Sequence, residues 1–257
     1  MKIQYASDLH LEFADNSKWL AWRPLETAGD VLVLAGDCGM FGHWSYVDHP
    51  FWDWAAERYR QVVIVPGNHE FYLGRYALSG MADGWRLEIR PNVHCLYNAV
   101  VPQADDIDLI VTTLWARIEP ENAAVAERGV ADFHRIEAGG GRLLDAARFN
   151  AEHERCFAFL KKALAASAAR HIVVATHHVP SKLLTVPEHR ESPINGAFTV
   201  ELRDFIETCP AEYWIYGHSH RNIDAVIGKT RCVSNQLGYV SDNEHMTFDR
   251  GKVIEIV

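Results

Sequence analysis

The chain has 257 residues, 48% hydrophobic and 23% charged, enough to bury the core of one large α/β domain and too few for a second full domain. Its 25 Lys and Arg against 34 Asp and Glu give a net charge of −9, so no global field exists to hold a large nucleic acid. Five cysteines, at 38, 95, 156, 209 and 232, form no C-x-x-C pair and argue against a disulfide framework, and no apolar run is long enough to span a bilayer. The opening Met1–Tyr5 enters a strand pattern without the basic leader and apolar core of a signal peptide. These features predict a soluble, cytoplasmic protein without membrane partners.

Strand patterns recur along the chain at Ile3–Ser7, Val31–Ala35, Val62–Val65, Leu109–Leu114, Ile172–Thr176 and Tyr213–Tyr216, short runs rich in Val, Ile and Tyr of the kind buried on both faces. Between the second and third, Asp48–Tyr59 reads as a helix, with Asp48 as N-cap, Pro50 in the first turn and Trp52, Ala55, Ala56 and Tyr59 on one face. Trp44, Trp52 and Trp54 are read as packing residues rather than a stacking platform for a base. The segment from Glu119 to Gly141, rich in Ala, Glu and Gly, interrupts the pattern and reads as an insertion at about 119–141. It is either a lid or substrate-side elaboration, or a surface excursion with no role; within it, Asp132-Phe133-His134-Arg135 could approach substrate but is read first as structural. A helix is predicted over Arg142–Ala168, where Phe149, Cys156, Leu160 and Leu164 keep helical spacing, and another over Thr199–Thr208. After Asn222, the alternating segments Ile223–Ile227, Arg231–Val233 and Val253–Ile256 predict a run of antiparallel strands.

Five polar motifs sit where these strands end: Asp8-Leu9-His10, Gly36-Asp37, Gly67-Asn68-His69-Glu70, Thr176-His177-His178 and Gly217-His218-Ser219-His220. Each alone could be a turn with satisfied polar side chains. Taken together they match the needs of a site for two divalent cations about 3.5–4 Å apart: anionic oxygens, one bridging ligand and open positions for water and substrate. Asp8 and His10 alternate along a segment read as extended, which puts them on one face, and His218 and His220 alternate likewise. Asp37 has one carboxylate oxygen for each ion, and Asn68 offers a neutral amide oxygen. His177 and His178 are both potential ligands.

The ordered set D-x-H, G-D, G-N-H-E, H and G-H-x-H, spanning residues 8 to 220, resembles that of the calcineurin-like metallophosphoesterase superfamily. The resemblance implies a four-layer metallo-dependent phosphatase fold, a central β-sandwich flanked by helices, in a single domain covering residues 1–257. It implies one ion held by Asp8, His10, Asp37 and His220 and another by Asp37, Asn68, His177 and His218. The family pattern favours His177 over His178, makes His69 the catalytic general acid or a transition-state stabiliser and leaves Glu70 structural. The implied activity is hydrolysis of phosphate mono- or diesters, by phosphatase or phosphodiesterase chemistry, through attack of a metal-bridging hydroxide. Nitrogen and oxygen ligands without sulfur suit manganese, iron or zinc, with Mn²⁺ expected as one of the two ions. The alternative is a non-catalytic scaffold of the same fold that binds protein partners, but such a scaffold would be expected to lose ligands that this chain keeps.

Substrate-side residues are sought at strand ends near the same rim. Trp115 and Arg117 follow the Leu109–Leu114 strand, and an arginine there could meet a phosphate bidentately. His43 follows the Asp37 loop closely enough to reach the mouth of the site. The expected partner is a small phosphate ester.

Overall fold

The computed structural model describes residues 1–43, 45–104 and 106–257. Short Val- and Ile-rich runs become strands in two six-stranded sheets. The first contains β1 (Lys2–Ala6), β2 (Val31–Ala35), β3 (Gln61–Val65), β4 (Trp85–Arg90), β5 (Val93–Tyr97) and β14 (Val253–Glu255), ordered β14-β1-β2-β3-β5-β4. The second contains β6 (Ala99–Gln103), β7 (Ile107–Thr112), β10 (His171–Thr176), β11 (Tyr213–Tyr216), β12 (Ala225–Ile227) and β13 (Thr230–Ser234), ordered β12-β13-β11-β10-β7-β6. In each sheet four central strands run parallel and both edge strands run antiparallel. A small hairpin joins β8 (Glu137–Gly139) to β9 (Arg142–Leu143).

Side-chain alternation explains why the central strands are apolar throughout. In β2, Val31, Val33 and Ala35 pack with Leu109, Val111, Val173 and Ala175 of the opposite sheet, whereas Leu32 and Leu34 join the cluster under the helices. Both faces of each sheet are therefore covered, as parallel strands require. The helical layers contain α1 (Ala14–Trp22), α2 (Pro50–Arg58), α3 (Ala123–Gly129), α4 (Asp132–Arg135), α5 (Ala146–Ala166), α6 (Pro187–Arg190) and α7 (Arg203–Thr208). This is the expected α/β sandwich flanked by helices. None of these helices is long and apolar enough to cross a membrane.

The elements differ from expectation where local chemistry intervenes. The long helix starts at Ala146 because Asp145 caps it, accepting from Arg148 N at 2.8 Å, while Arg142–Leu143 pair with the 137–139 strand. His49, not Asp48, caps α2, its ring nitrogen accepting from Phe51 N at 3.2 Å. Only Arg203–Thr208 of the 199–208 segment is helical, since Thr199 bridges to Val179. The C-terminal strands are not one antiparallel run: β13 is antiparallel to β12 but parallel to β11, and β14 crosses to the other sheet. Edge strand β4 was not among the expected strands, although Trp85, Leu87 and Ile89 alternate along it and face the core. Trp52 is fully buried and Trp54 packs partly buried against the same core, while Trp44 lies outside the described residues.

Candidate binuclear metal centre

The C-terminal ends of β1, β2, β3, β10 and β11 lie side by side, and the five polar motifs follow them directly. The pairs in the first and last motifs do not converge by strand alternation. Asp8 and His10 have φ of 55° and 47°, and His218 and His220 have φ of 75° and 50°, so each pair sits in tight left-handed turns. Such conformations cost about 1–2 kcal/mol each in a non-glycine residue. Those at Asp8 and His10 are held by hydrogen bonds at 2.9 Å from Asp8 N, His10 N and Leu11 N to the carbonyls of Gly36, Asp37 and Cys38, and His218 N donates to the Asp8 carboxylate at 3.1 Å. Glycine is needed at 67: a Cβ there would lie 2.1 Å from Asp37 Oδ1 and 2.7 Å from His177 Nε2.

Two donor groups hold the expected ligands, and a third set, His10, Asp37 and His69, overlaps the first at His10 and the second at Asp37. In the first, His220 Nε2 lies 3.4 Å from Asp8 Oδ1 and 3.1 Å from His10 Nε2. In the second, His177 Nε2 lies 3.4 Å from Asp37 Oδ1, 3.0 Å from Asn68 Oδ1 and 3.1 Å from His218 Nδ1. Asp37 stands between them, with Oδ2 4.0 Å from His10 Nε2. His178, fully buried between Trp115 and His218, is in neither group.

These residues fit two divalent cations because the far side of most rings is already committed. His10 Nδ1 meets Glu12 Oε1 at 3.2 Å, His220 Nδ1 meets Glu244 Oε2 at 2.5 Å, and His177 Nδ1 donates to the Ala35 carbonyl at 2.8 Å. Each Nε2 therefore turns a lone pair toward other acceptors, an arrangement that only a cation or a proton can hold together. In the metal-free chain protons take that role. Burial opposes a charge on His177, but Asp37 pushes it up to about 9; burial likewise opposes one on His220, but Asp8 and Glu244 push it up to about 10. His218, desolvated and beside His177, falls to about 3.

His69 stands beside the groups. Its Nδ1 meets the same Glu12 oxygen at 3.0 Å, and its Nε2 lies 4.0 Å from Asp37 Oδ2 and 3.4 Å from the Tyr239 hydroxyl. Burial works against protonation, but Asp37 and Glu12 raise His69 above the usual histidine value. Glu12 is buried, which alone would raise it, yet His10 and His69 hold it down to about 2. Glu70 has no contact with the donor groups' open side: its carboxylate accepts from the backbone N–H of Asp37, Cys38, Gly39 and Gly67 at 2.6–3.2 Å, tying two motif loops together.

A cavity of ≈ 420 Å³ opens over the donor groups, with Asp37, Asn68, His69, His218 and His220 along its base. Its walls come from the 119–141 segment, through Val130 and Asp132, from Val186, Ile194 and Phe198, and from Tyr239. The substrate-side expectations need correction here. Trp115 is fully buried, its indole N–H donating to Tyr97 Oη at 3.1 Å, because left-handed backbone at Leu114 and Trp115 turns the ring into the core. Arg117 is exposed and outside the cavity wall, its backbone running beside Gly196. His43 bonds Ser45 Oγ at 2.7 Å and lines a separate crevice behind Glu12. Glu12, Tyr72, Tyr239 and Glu244 went unnoticed in the sequence, although Glu12 extends the first motif by one more alternate position. Asp132, read first as structural, lines the cavity and bonds Asn68 at its base.

Two packed mixed sheets with a pair of clustered His, Asp and Asn donor groups at the strand ends define a metal-dependent phosphoesterase. A sequence model of the calcineurin-like phosphoesterase family matches residues 1–222, and the chain belongs to that family. It is 25% identical over 281 residues to uncharacterized protein L509 of Acanthamoeba polyphaga mimivirus, covering 99% of this chain and 96% of the relative. Phosphopantetheinyl Hydrolase (PptH) from Mycobacterium tuberculosis superposes with a TM-score of 0.70 at 17% identity, covering 100% of this chain and 95% of that one. TT1561 of Thermus thermophilus superposes with a TM-score of 0.55 at 14% identity, covering 97% and 90%. Likeness at these identities shows the shared fold.

Proposed function

We propose that the protein hydrolyses a small phosphate diester in preference to a monoester, with Asp8, His10, Asp37 and His220 around one divalent ion and Asp37, Asn68, His177 and His218 around the other. The observation that carries this reading is Asp37, whose two oxygens face different donor groups. Two divalent ions there would neutralise the phosphoryl oxygens and supply an activated water near neutral pH. Manganese is the expected choice for at least one of them, given nitrogen and oxygen donors without sulfur.

The chain's own contribution is a proton and a shaped wall. With Nδ1 held by Glu12, His69 keeps its other N–H facing the cavity, where it donates to the departing alkoxide. Tyr239 limits how that ring turns. Val130, Val186, Ile194 and Phe198 offer an apolar surface for a second ester arm, and Arg221 at the rim lies 3.7 Å from Glu244, which offsets its charge. A singly charged diester suits this wall better than a dianionic monoester. The cavity's size of ≈ 420 Å³ and the net charge of −9 favour a small molecule over a large nucleic acid. All five cysteines are free and buried, in keeping with a cytoplasmic location.

The test is hydrolysis of bis(p-nitrophenyl) phosphate and p-nitrophenyl phosphate by metal-stripped protein. No turnover without metal, restoration by Mn²⁺ and a higher kcat/KM for the diester are expected. Activity indifferent to chelation defeats the metal reading, and equal or better monoester turnover defeats the diester one.

A further inference from the structure

An asparagine amide is nearly symmetric in shape, so which end faces a cation is decided by hydrogen bonding alone. Asn68 is buried, and its Oδ1 lies 3.0 Å from His177 Nε2, within the second donor group. Its Nδ2 donates at 2.8 Å to Oδ1 of Asp132, a residue 64 positions away on the 119–141 segment. The same oxygen accepts from Tyr72 Oη at 2.7 Å. A carboxylate accepts and does not donate, so an amide turned the other way would set oxygen against oxygen.

We propose that Asp132 is a positioning residue, brought in by the 119–141 segment to fix the amide of Asn68 with its oxygen toward the second ion. The segment is anchored for this task. Tyr72 and Ile136 form a backbone bridge, the Arg135 guanidinium lies 5.3 Å from the Tyr72 ring centroid, and the Tyr72 ring lies 4.4 Å from that of His69. Asp132 is itself 1% exposed, and its other oxygen has no hydrogen-bond partner among the described residues. A buried carboxylate with one oxygen unpartnered is costly to keep unless the bonds made by the other serve the structure. The 119–141 segment is then part of the metal centre rather than only a wall over it.

This inference rests on the reading of Asn68 as an ion ligand, and the experiment separates the two. Metal-free full-length protein is titrated with Mn²⁺, and the bound ions are counted by elemental analysis and by the loss of the free-ion paramagnetic resonance signal. The wild type is expected to bind two ions. Asp132→Ala should retain one at wild-type affinity and bind the other about 10–100-fold more weakly, the usual effect of losing an outer-shell partner. Asp132→Asn, which keeps an acceptor oxygen, should stay within about 3-fold of wild type for both, a rescue that generic destabilisation would not produce. Wild-type binding by Asp132→Ala, equal weakening of both ions, or an Asp132→Asn variant as impaired as Asp132→Ala each overturns the proposal. Asn68→Ala is run alongside. If it loses one ion while Asp132→Ala loses none, only the positioning role fails; if it binds both normally, the ligand reading fails and takes the positioning role with it.

Discussion

The two donor groups use similar atoms but are backed differently. Around Asp8, His10 and His220, the histidines lean on carboxylates, Glu12 and Glu244. Around Asn68, His177 and His218, the backing is the Ala35 carbonyl and, through Asn68, the carboxylate of Asp132. The first group would therefore concentrate more negative charge around a bound cation, whereas the second would offer Asp37 as its one anionic donor. Affinity for a cation follows ligand charge and the basicity that a carboxylate partner lends an imidazole. Metal-free protein should accordingly fill in two steps, the first group before the second.

Asp37 belongs to both groups, so its substitution removes the difference between them. Asp37→Asn should lower diester turnover by about 10³-fold or more and weaken both ions, read by kinetics and elemental analysis together. Gly67→Ala, whose Cβ would press on Asp37 and His177, should come close to that loss. His69 lies outside both groups and tests chemistry apart from binding. His69→Ala should cost about 10²–10⁴-fold on alkyl esters, much less on activated aryl esters, and leave both ions in place; equal losses on the two substrate types would remove it as proton donor.

Smaller effects sharpen the contrast. Glu244→Gln should weaken only the first ion, by about 10–100-fold, leaving the second step of the titration where it was. The pH response has a definite sign. In the metal-free chain His177 and His220 are raised from 6.5 to about 9 and about 10, so their contribution to stability is complete below 6.5 and disappears as pH climbs through those values. Cations must displace these protons, so apparent Mn²⁺ affinity should rise by about tenfold per pH unit for each proton displaced between about pH 6.5 and 8.5. Thermal unfolding of the metal-free protein and Mn²⁺ titration across that window check both. The smallest effect belongs to Arg117→Ala, an exposed side chain beyond the cavity wall, which should shift stability by no more than about 0.5 kcal/mol and leave kcat/KM unchanged.

Much of this protein was legible in the order of its residues. Six apolar runs became six of the eight inner strands, because strands covered on both faces must be apolar at successive positions, and the motifs after five of them announced where chemistry would gather. Asp8, His10, Asp37, Asn68, His177, His218 and His220 do come together at those ends. Local patterning misjudged Trp115, since its orientation depends on two left-handed residues that no periodicity reveals.

What tertiary structure alone decided is the backing of the donors. Glu244 is 24 positions from His220 and Asp132 is 64 from Asn68, and neither lies in a repeat or a spacing that marks it. The paired donors, too, meet through left-handed turns rather than through their own alternation, Asp8 and His10 held by the carbonyls that follow β2 and His218 by the Asp8 carboxylate. A sequence carries the donor types because coordination chemistry limits which residues can serve. The direction of each lone pair is set by what packs behind the ring or amide, and folding assembles those partners from distant parts of the chain.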